Sequence, residues 1–95
     1  MGQLERADDL AMLAFWYVGE HLLGPQVPSD EEATYLRTAA FRLSREVHAG
    51  SEPLLLKARD IAYAVLEWLS PFWTADSFAK LRQASRAYEQ ARLRQ

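Results

Sequence analysis

The four prolines stand at positions 25, 28, 53 and 71, and they leave four long proline-free stretches. A proline inside a helix removes a backbone hydrogen bond, and its ring collides with the preceding turn, so helices stop near each one. Neighbouring turn residues sharpen the cuts: Gly24-Pro25-Gln26-Val27-Pro28, Gly50-Ser51-Glu52-Pro53 and Ser70-Pro71-Phe72-Trp73-Thr74. None of the intervening segments alternates with the period of two that strands need. The spacing predicts helices over 3–23, 30–49, 53–70 and 75–93. Connections this short join antiparallel neighbours, which predicts an all-α, antiparallel four-helix bundle. At 95 residues the chain has the size of a single helical domain, 1–95.

Local chemistry supports the same boundaries. Ser29-Asp30-Glu31-Glu32 reads as a capping box, in which the serine hydroxyl serves the amide three residues on and Glu32 reaches back. Its three acids also suit the positive end of a helix dipole. Ser51 and Thr74 are candidate caps for the third and fourth helices. Apolar positions at helical spacing give the core stripes: Ala33, Leu36, Ala40, Leu43 and Val47 on the second helix, and Leu54, Ala58, Ile61, Val65 and Trp68 on the third. The third is widened by Leu55, Ala62, Leu66 and Leu69 and is expected to be the most buried. Phe78, Leu81, Ala84, Tyr88 and Ala91 make a narrow stripe on the fourth, which is expected at the edge.

The first helix carries more apolar surface than one stripe needs. Leu10 to Val18 is an unbroken apolar run of nine residues. At 100° per residue, Leu4, Ala7, Ala11, Ala14, Phe15, Val18 and Leu22 form a core face. Met12, Trp16, Gly19 and Leu23 fall on roughly the opposite side, bordered by Glu5, Asp9 and Glu20. A small apolar patch ringed by acids is the pattern of an interaction surface. Trp is a frequent binding anchor, Met adapts to irregular partners, and Gly19 lets another backbone approach closely. Phe72 and Trp73 either enlarge the patch or fold back to cover Trp16. The commonest partner for such a surface is a second copy of the chain.

Motifs for chemistry are sparse. Without cysteine there are no disulfides, thiolate metal sites or cysteine nucleophiles. The two histidines, His21 and His48, lack the Glu-x-x-His or His-Glu-x-x-His spacing of helical metal sites, so no metal or other cofactor is expected. Glycine-rich phosphate loops and nucleophile elbows are missing as well. Ala75-Asp76-Ser77-Phe78 resembles the Asp-Ser pair that carries the prosthetic group of acyl carrier proteins. That serine opens the second helix of the family, whereas Ser77 opens the last helix here and reads as first-turn polarity. The stretch from Arg42 to His48 resembles the Arg-x(4–6)-His pattern of HEPN-type ribonucleases. This resemblance implies a small helical dimer cleaving RNA without metal, or a toxin–antitoxin component, with Arg42 and His48 as the site. On a regular helix those two side chains stand about 120° apart, and His48 groups instead with Arg37, Phe41 and Arg45.

This last group is a secondary surface: an aromatic among arginines suits an acidic protein or the stacked bases of a nucleic acid. The formal charge of −2 gives no whole-chain bias towards nucleic acid. The apolar run is too short to span a bilayer, and the mixed charge of the first residues is unlike a signal peptide. A cytoplasmic location and no membrane partner are therefore expected. Arginine outnumbers lysine nine to two, a usage that fits a GC-rich bacterium or its phage. The function expected is non-enzymatic: a homodimer, or an accessory or inhibitory subunit, working through protein–protein contact. The alternatives are the HEPN-like ribonuclease and a weak nucleic-acid-binding accessory protein.

Overall fold

The described residues form four helices: α1 (Gln3–Val18), α2 (Asp30–Glu46), α3 (Pro53–Trp68) and α4 (Ala75–Leu93). The computed structural model describes residues 2–18, 28–48, 50–70 and 75–94. Cross-links between helix ends fix the directions. Arg6 at the start of α1 pairs with Glu46 at the end of α2, and Asp8 near the start of α1 meets Arg92 at the end of α4. Glu67 at the end of α3 meets Lys80 at the start of α4. Neighbours along the chain are thus antiparallel, and the protein is an all-α four-helix bundle. Its radius of gyration is 12.4 Å, the value a compact chain of this length has.

The cross-section is a rhombus. Among the described residues the α1 and α3 backbones approach each other across the middle, whereas those of α2 and α4 stand farther apart. Small buried side chains suit that short diagonal: Ala7, Ala11 and Ala14 on α1, Ala58 and Ala62 on α3. Larger residues fill the sides, with Leu36 and Leu43 from α2, Ile61 and Val65 from α3 and Leu81 from α4 all fully buried. Helix α3 buries seven residues, consistent with its wide apolar stripe. Helix α4 packs against both α3 and α1, which is more contact than its narrow stripe suggests. Two serines extend that stripe inward. Ser85 is buried and its hydroxyl donates to the Leu81 carbonyl at 2.8 Å, satisfying itself within its own helix.

Helix ends differ from the sequence expectation where turn chemistry intervenes. The capping box forms: the Glu32 amide donates to Ser29 Oγ at 3.2 Å, and the Ser29 amide donates to Glu32 Oε1 at 3.0 Å. At the other end α2 stops at Glu46 instead of residue 49, because Val47 turns extended (φ −91°, ψ 130°) while keeping its side chain in the core. Ser51 does not cap α3: its hydroxyl accepts from the His48 amide at 3.1 Å and closes the turn before the helix. Pro53 then starts α3 without a side-chain cap, at the position where its missing N–H costs nothing. The chain turns at Leu69 and Ser70, so α3 ends two residues before the expected boundary. The predicted continuation of the first helix through 23 and the cap at Thr74 lie outside the described residues.

Candidate interaction surface

The apolar run of α1 divides between core and surface, but not along the predicted line. Leu10 and Tyr17 are buried together with Ala7, Ala11, Ala14 and Val18, whereas Phe15 is only half-buried. The core face is therefore rotated by about 40–50° from the predicted one, towards α2. The cause is polar. Tyr17 can enter the core because its hydroxyl finds the Glu32 carboxylate of α2, while its ring packs 5.8 Å from that of Trp68 on α3. Burying a phenol without such a partner would be costly.

Three residues of α1, Arg6, Asp8 and Tyr17, tie its edges to the neighbouring helices. Towards α2 the ties are Tyr17 to Glu32 and Arg6 to Glu46; towards α4, Asp8 accepts from both the Tyr88 hydroxyl and Arg92, the latter at 3.0 Å. The outer side of α1 between them carries Met12 and Trp16 together with the exposed Glu5 and Asp9. Met12 is 71% exposed and Trp16 44% exposed. On the α4 side, Met12 and Phe15 line a hollow shared with Leu93, itself 78% exposed. On the α2 side, Leu10, Leu13 and Ala39 floor a groove whose rim carries Asp9, Arg42 and Tyr35, the last 61% exposed. This groove runs on past Leu13 and Tyr35 to Tyr17 and Glu31. Tyr35 and Leu93 were not singled out from the sequence. The available signal was that each is a large apolar residue lying off its helix's core stripe.

Gly19, Leu23, Phe72 and Trp73, the remaining candidates for this surface, lie outside the described residues, as does His21. Of the secondary group, Arg37, Phe41 and Arg45 do share the outer side of α2 around a shallow hollow, with the Arg45 guanidinium 5.6 Å from the Phe41 ring centre. His48 is not placed with them by helical spacing, because α2 has already ended. It sits in the following turn, where its Nδ1 accepts from the Gly50 amide at 3.2 Å.

The electrostatics of the polar ties are those of structural contacts. Burial, helped by Glu32, pushes the Tyr17 phenol up to about 12. Burial and the Asp8 carboxylate likewise raise Tyr88. The hydrogen bond from Tyr17, followed by those from Ser29, holds Glu32 below the usual carboxylate range. Arg6, and secondarily Arg42, does the same for Glu46. All four shifts move away from neutrality, opposite to the tuning that a general acid or base needs.

The residues of the two family resemblances are engaged separately. Arg42 Nε donates to Glu46 Oε1 at 3.1 Å on the α1 side of α2, while His48 serves its own turn. Ser77 is buried and its hydroxyl lies 3.4 Å from Glu67 Oε1, so it is not presented at the surface. Among the described residues no group of three or more His, Asp or Glu could hold a metal ion, and no helix is long and apolar enough to cross a membrane. Comparison with known proteins finds no matching family model, no matching curated sequence and no matching solved structure.

Proposed function

We propose that this chain is a non-enzymatic helical protein that works through protein–protein contact, and that it associates with itself through the outer side of α1. One observation carries the reading. After the bundle has filled its core, large apolar side chains remain exposed on α1 and on both helices beside it: Met12 and Trp16, flanked by Tyr35 and Leu93. Single exposed apolar residues are ordinary, but several lining adjoining grooves mark a recognition surface. Trp and Tyr are also the side chains most enriched among binding anchors. The wider setting in this reading is a cytoplasmic accessory or inhibitory subunit from a bacterium or phage, with the arginine-rich side of α2 as a secondary contact for an acidic partner.

The test is absolute mass by light scattering across a concentration series, for wild type and Trp16→Glu, with circular dichroism to establish folding. The reading expects a wild-type dimer and a folded monomeric variant. A wild type that stays monomeric at every concentration, or a variant that stays dimeric, contradicts it. An unfolded Trp16→Glu would place Trp16 in the core and contradict it as well.

A further inference from the structure

We propose that the outer side of α2, around Phe41, receives an acidic segment of a partner protein whose carboxylates pair with Arg37 and Arg45. This rests on the reading of the chain as a protein–protein contact module and gives the chemistry of its second surface. Arg37 and Arg45 are exposed, and Phe41 between them is 54% exposed. The three line one shallow hollow with Thr38, Arg42 and Glu46. Glu46 adds little negative charge there, because Arg6 and Arg42 both engage it. Arg37 and Arg45, by contrast, have no carboxylate partner among the described residues. The hollow is also distinct from the proposed self-association surface. Tyr35, which flanks that surface from α2, stands six residues before Phe41 and about 120° round the helix from it.

Two features select carboxylates over a nucleic acid. The first is the contact between Arg45 and Phe41, with the guanidinium 5.6 Å from the ring centre. A guanidinium held against a ring still turns its N–H edge outward, where it can grip a carboxylate with two parallel hydrogen bonds. The same contact competes with a stacked base for the ring. The second feature is extent. Arg37 and Arg45 are eight residues apart, about 12 Å along the helix. Before Arg37 the helix is acidic, with exposed Asp30 and Glu31 in its first turn, and exposed Asp9 lies across the groove towards α1. A nucleic-acid strand carries a charge on every nucleotide, so one running on along α2 or across towards α1 meets these acids. A peptide carries charge only at chosen positions. Two carboxylates about 12 Å apart, with an apolar side chain between them to cover Phe41, match the hollow in both charge and length.

The test is an amide-resolved NMR titration with two probes of equal charge: a short capped peptide repeating Glu-Glu-Leu-Glu-Glu, and a single-stranded oligothymidylate. Binding is also measured for Arg37→Glu, Arg45→Glu and Phe41→Ala, each checked by circular dichroism. The peptide should shift amides around Arg37, Phe41 and Arg45 and bind more tightly than the oligothymidylate. Each arginine reversal should weaken the peptide about tenfold or more, because repulsion replaces attraction. Phe41→Ala should weaken it about threefold by freeing Arg45 from its ring. If a reversal proves unfolded, Arg37→Gln or Arg45→Gln replaces it, with a loss of about threefold expected. Tighter binding of the oligothymidylate overturns the choice of a protein partner. Shifts elsewhere on the protein, reversals that bind like wild type, or no shifts at all overturn the site. The dimer is read out separately: Trp16→Glu should bind the peptide as wild type does, and Arg45→Glu should keep the wild-type mass. A monomeric wild type that binds the peptide here contradicts self-association and leaves this inference standing. A dimer that does not bind it contradicts this inference alone.

Discussion

Two grooves on opposite sides of the bundle are built differently. The α3–α4 groove is lined by Asp60, Tyr63, Glu67, Lys80 and Gln83 around the small Ala64, Ala84 and Ala87. Lys80 reaches Glu67 at 3.3 Å, and the Arg59 guanidinium lies 5.8 Å from the centre of the Tyr63 ring. The α1–α2 groove carries Arg6, Asp9, Tyr35, Thr38 and Arg42, and its apolar lining has the larger Leu10 and Leu13 beside Ala39. The packing explains the contrast. Helices α3 and α4 meet closely and cover their seam with their own polar side chains. Among the described residues α1 and α2 are the most loosely joined neighbours, with Arg6 tied to Glu46 and Tyr17 to Glu32. The looser seam leaves Leu10 and Leu13 along a groove. A fold can be stable on one side and unfinished on the other.

The largest effect expected from perturbing this contrast lies on the finished side. Ile61 is fully buried, and Ile61→Ala should cost about 3 kcal/mol of unfolding free energy in a denaturant titration. Leu13→Ala, at the half-buried floor of the other groove, should cost about 1 kcal/mol or less at concentrations where the chain is monomeric. Equal losses at the two sites would mean that the α1–α2 seam is packed like the core.

Next is the tie that buries a phenol. Tyr17→Phe should lower stability by about 1–2 kcal/mol, the worth of a hydrogen bond to a charged group. The Tyr17 phenol is raised from 10 to about 12 in the folded chain, so folding favours its protonated form. That contribution is complete below pH 10 and fades as the pH climbs towards 12. Alkaline unfolding curves of wild type and Tyr17→Phe should therefore converge over this window. Parallel curves would show that Tyr17 titrates normally.

A smaller loss, about 1 kcal/mol, is expected for Ser29→Ala, which removes the hydroxyl half of the capping box at the start of α2. Smallest of all is Met12→Gln. Its side chain is mostly exposed, so monomer stability should stay within about 0.5 kcal/mol of wild type in the same titration. A larger loss would assign Met12 to the core rather than to a contact surface.

Much of the fold was legible because its signals are local. The turn residues set the starts of α2, α3 and α4 at residues 30, 53 and 75 as expected, the Ser29–Glu32 box formed as written, and the α3 stripe from Leu54 to Val65 is buried. What was not legible depends on partners distant in sequence. Nine apolar residues in a row cannot say which of them face inward. The choice of Leu10 and Tyr17 over Phe15 follows from a glutamate that lies 15 residues beyond Tyr17. Ser77 read as first-turn polarity and Ser85 lies outside the predicted stripe, yet each meets a nearby acceptor that permits burial. His48 was assigned by helical spacing to a face of α2, and the early turn at Val47 removed the premise. In the candidate surface, Met12 and Trp16 were readable as leftovers of the α1 stripe. Tyr35 and Leu93 gained meaning once α2 and α4 were seen to lie on either side of α1.

The central claim is that exposed aromatics on the two sides of the bundle differ in kind: Trp16 belongs to a contact surface, and Tyr63 to a solvated seam. The most direct test compares the solution masses of Trp16→Glu and Tyr63→Glu at the same concentration as wild type. The proposed self-association predicts a folded monomer for the first and a dimer indistinguishable from wild type for the second. A dimeric Trp16→Glu, or a Tyr63→Glu that dissociates, would contradict it.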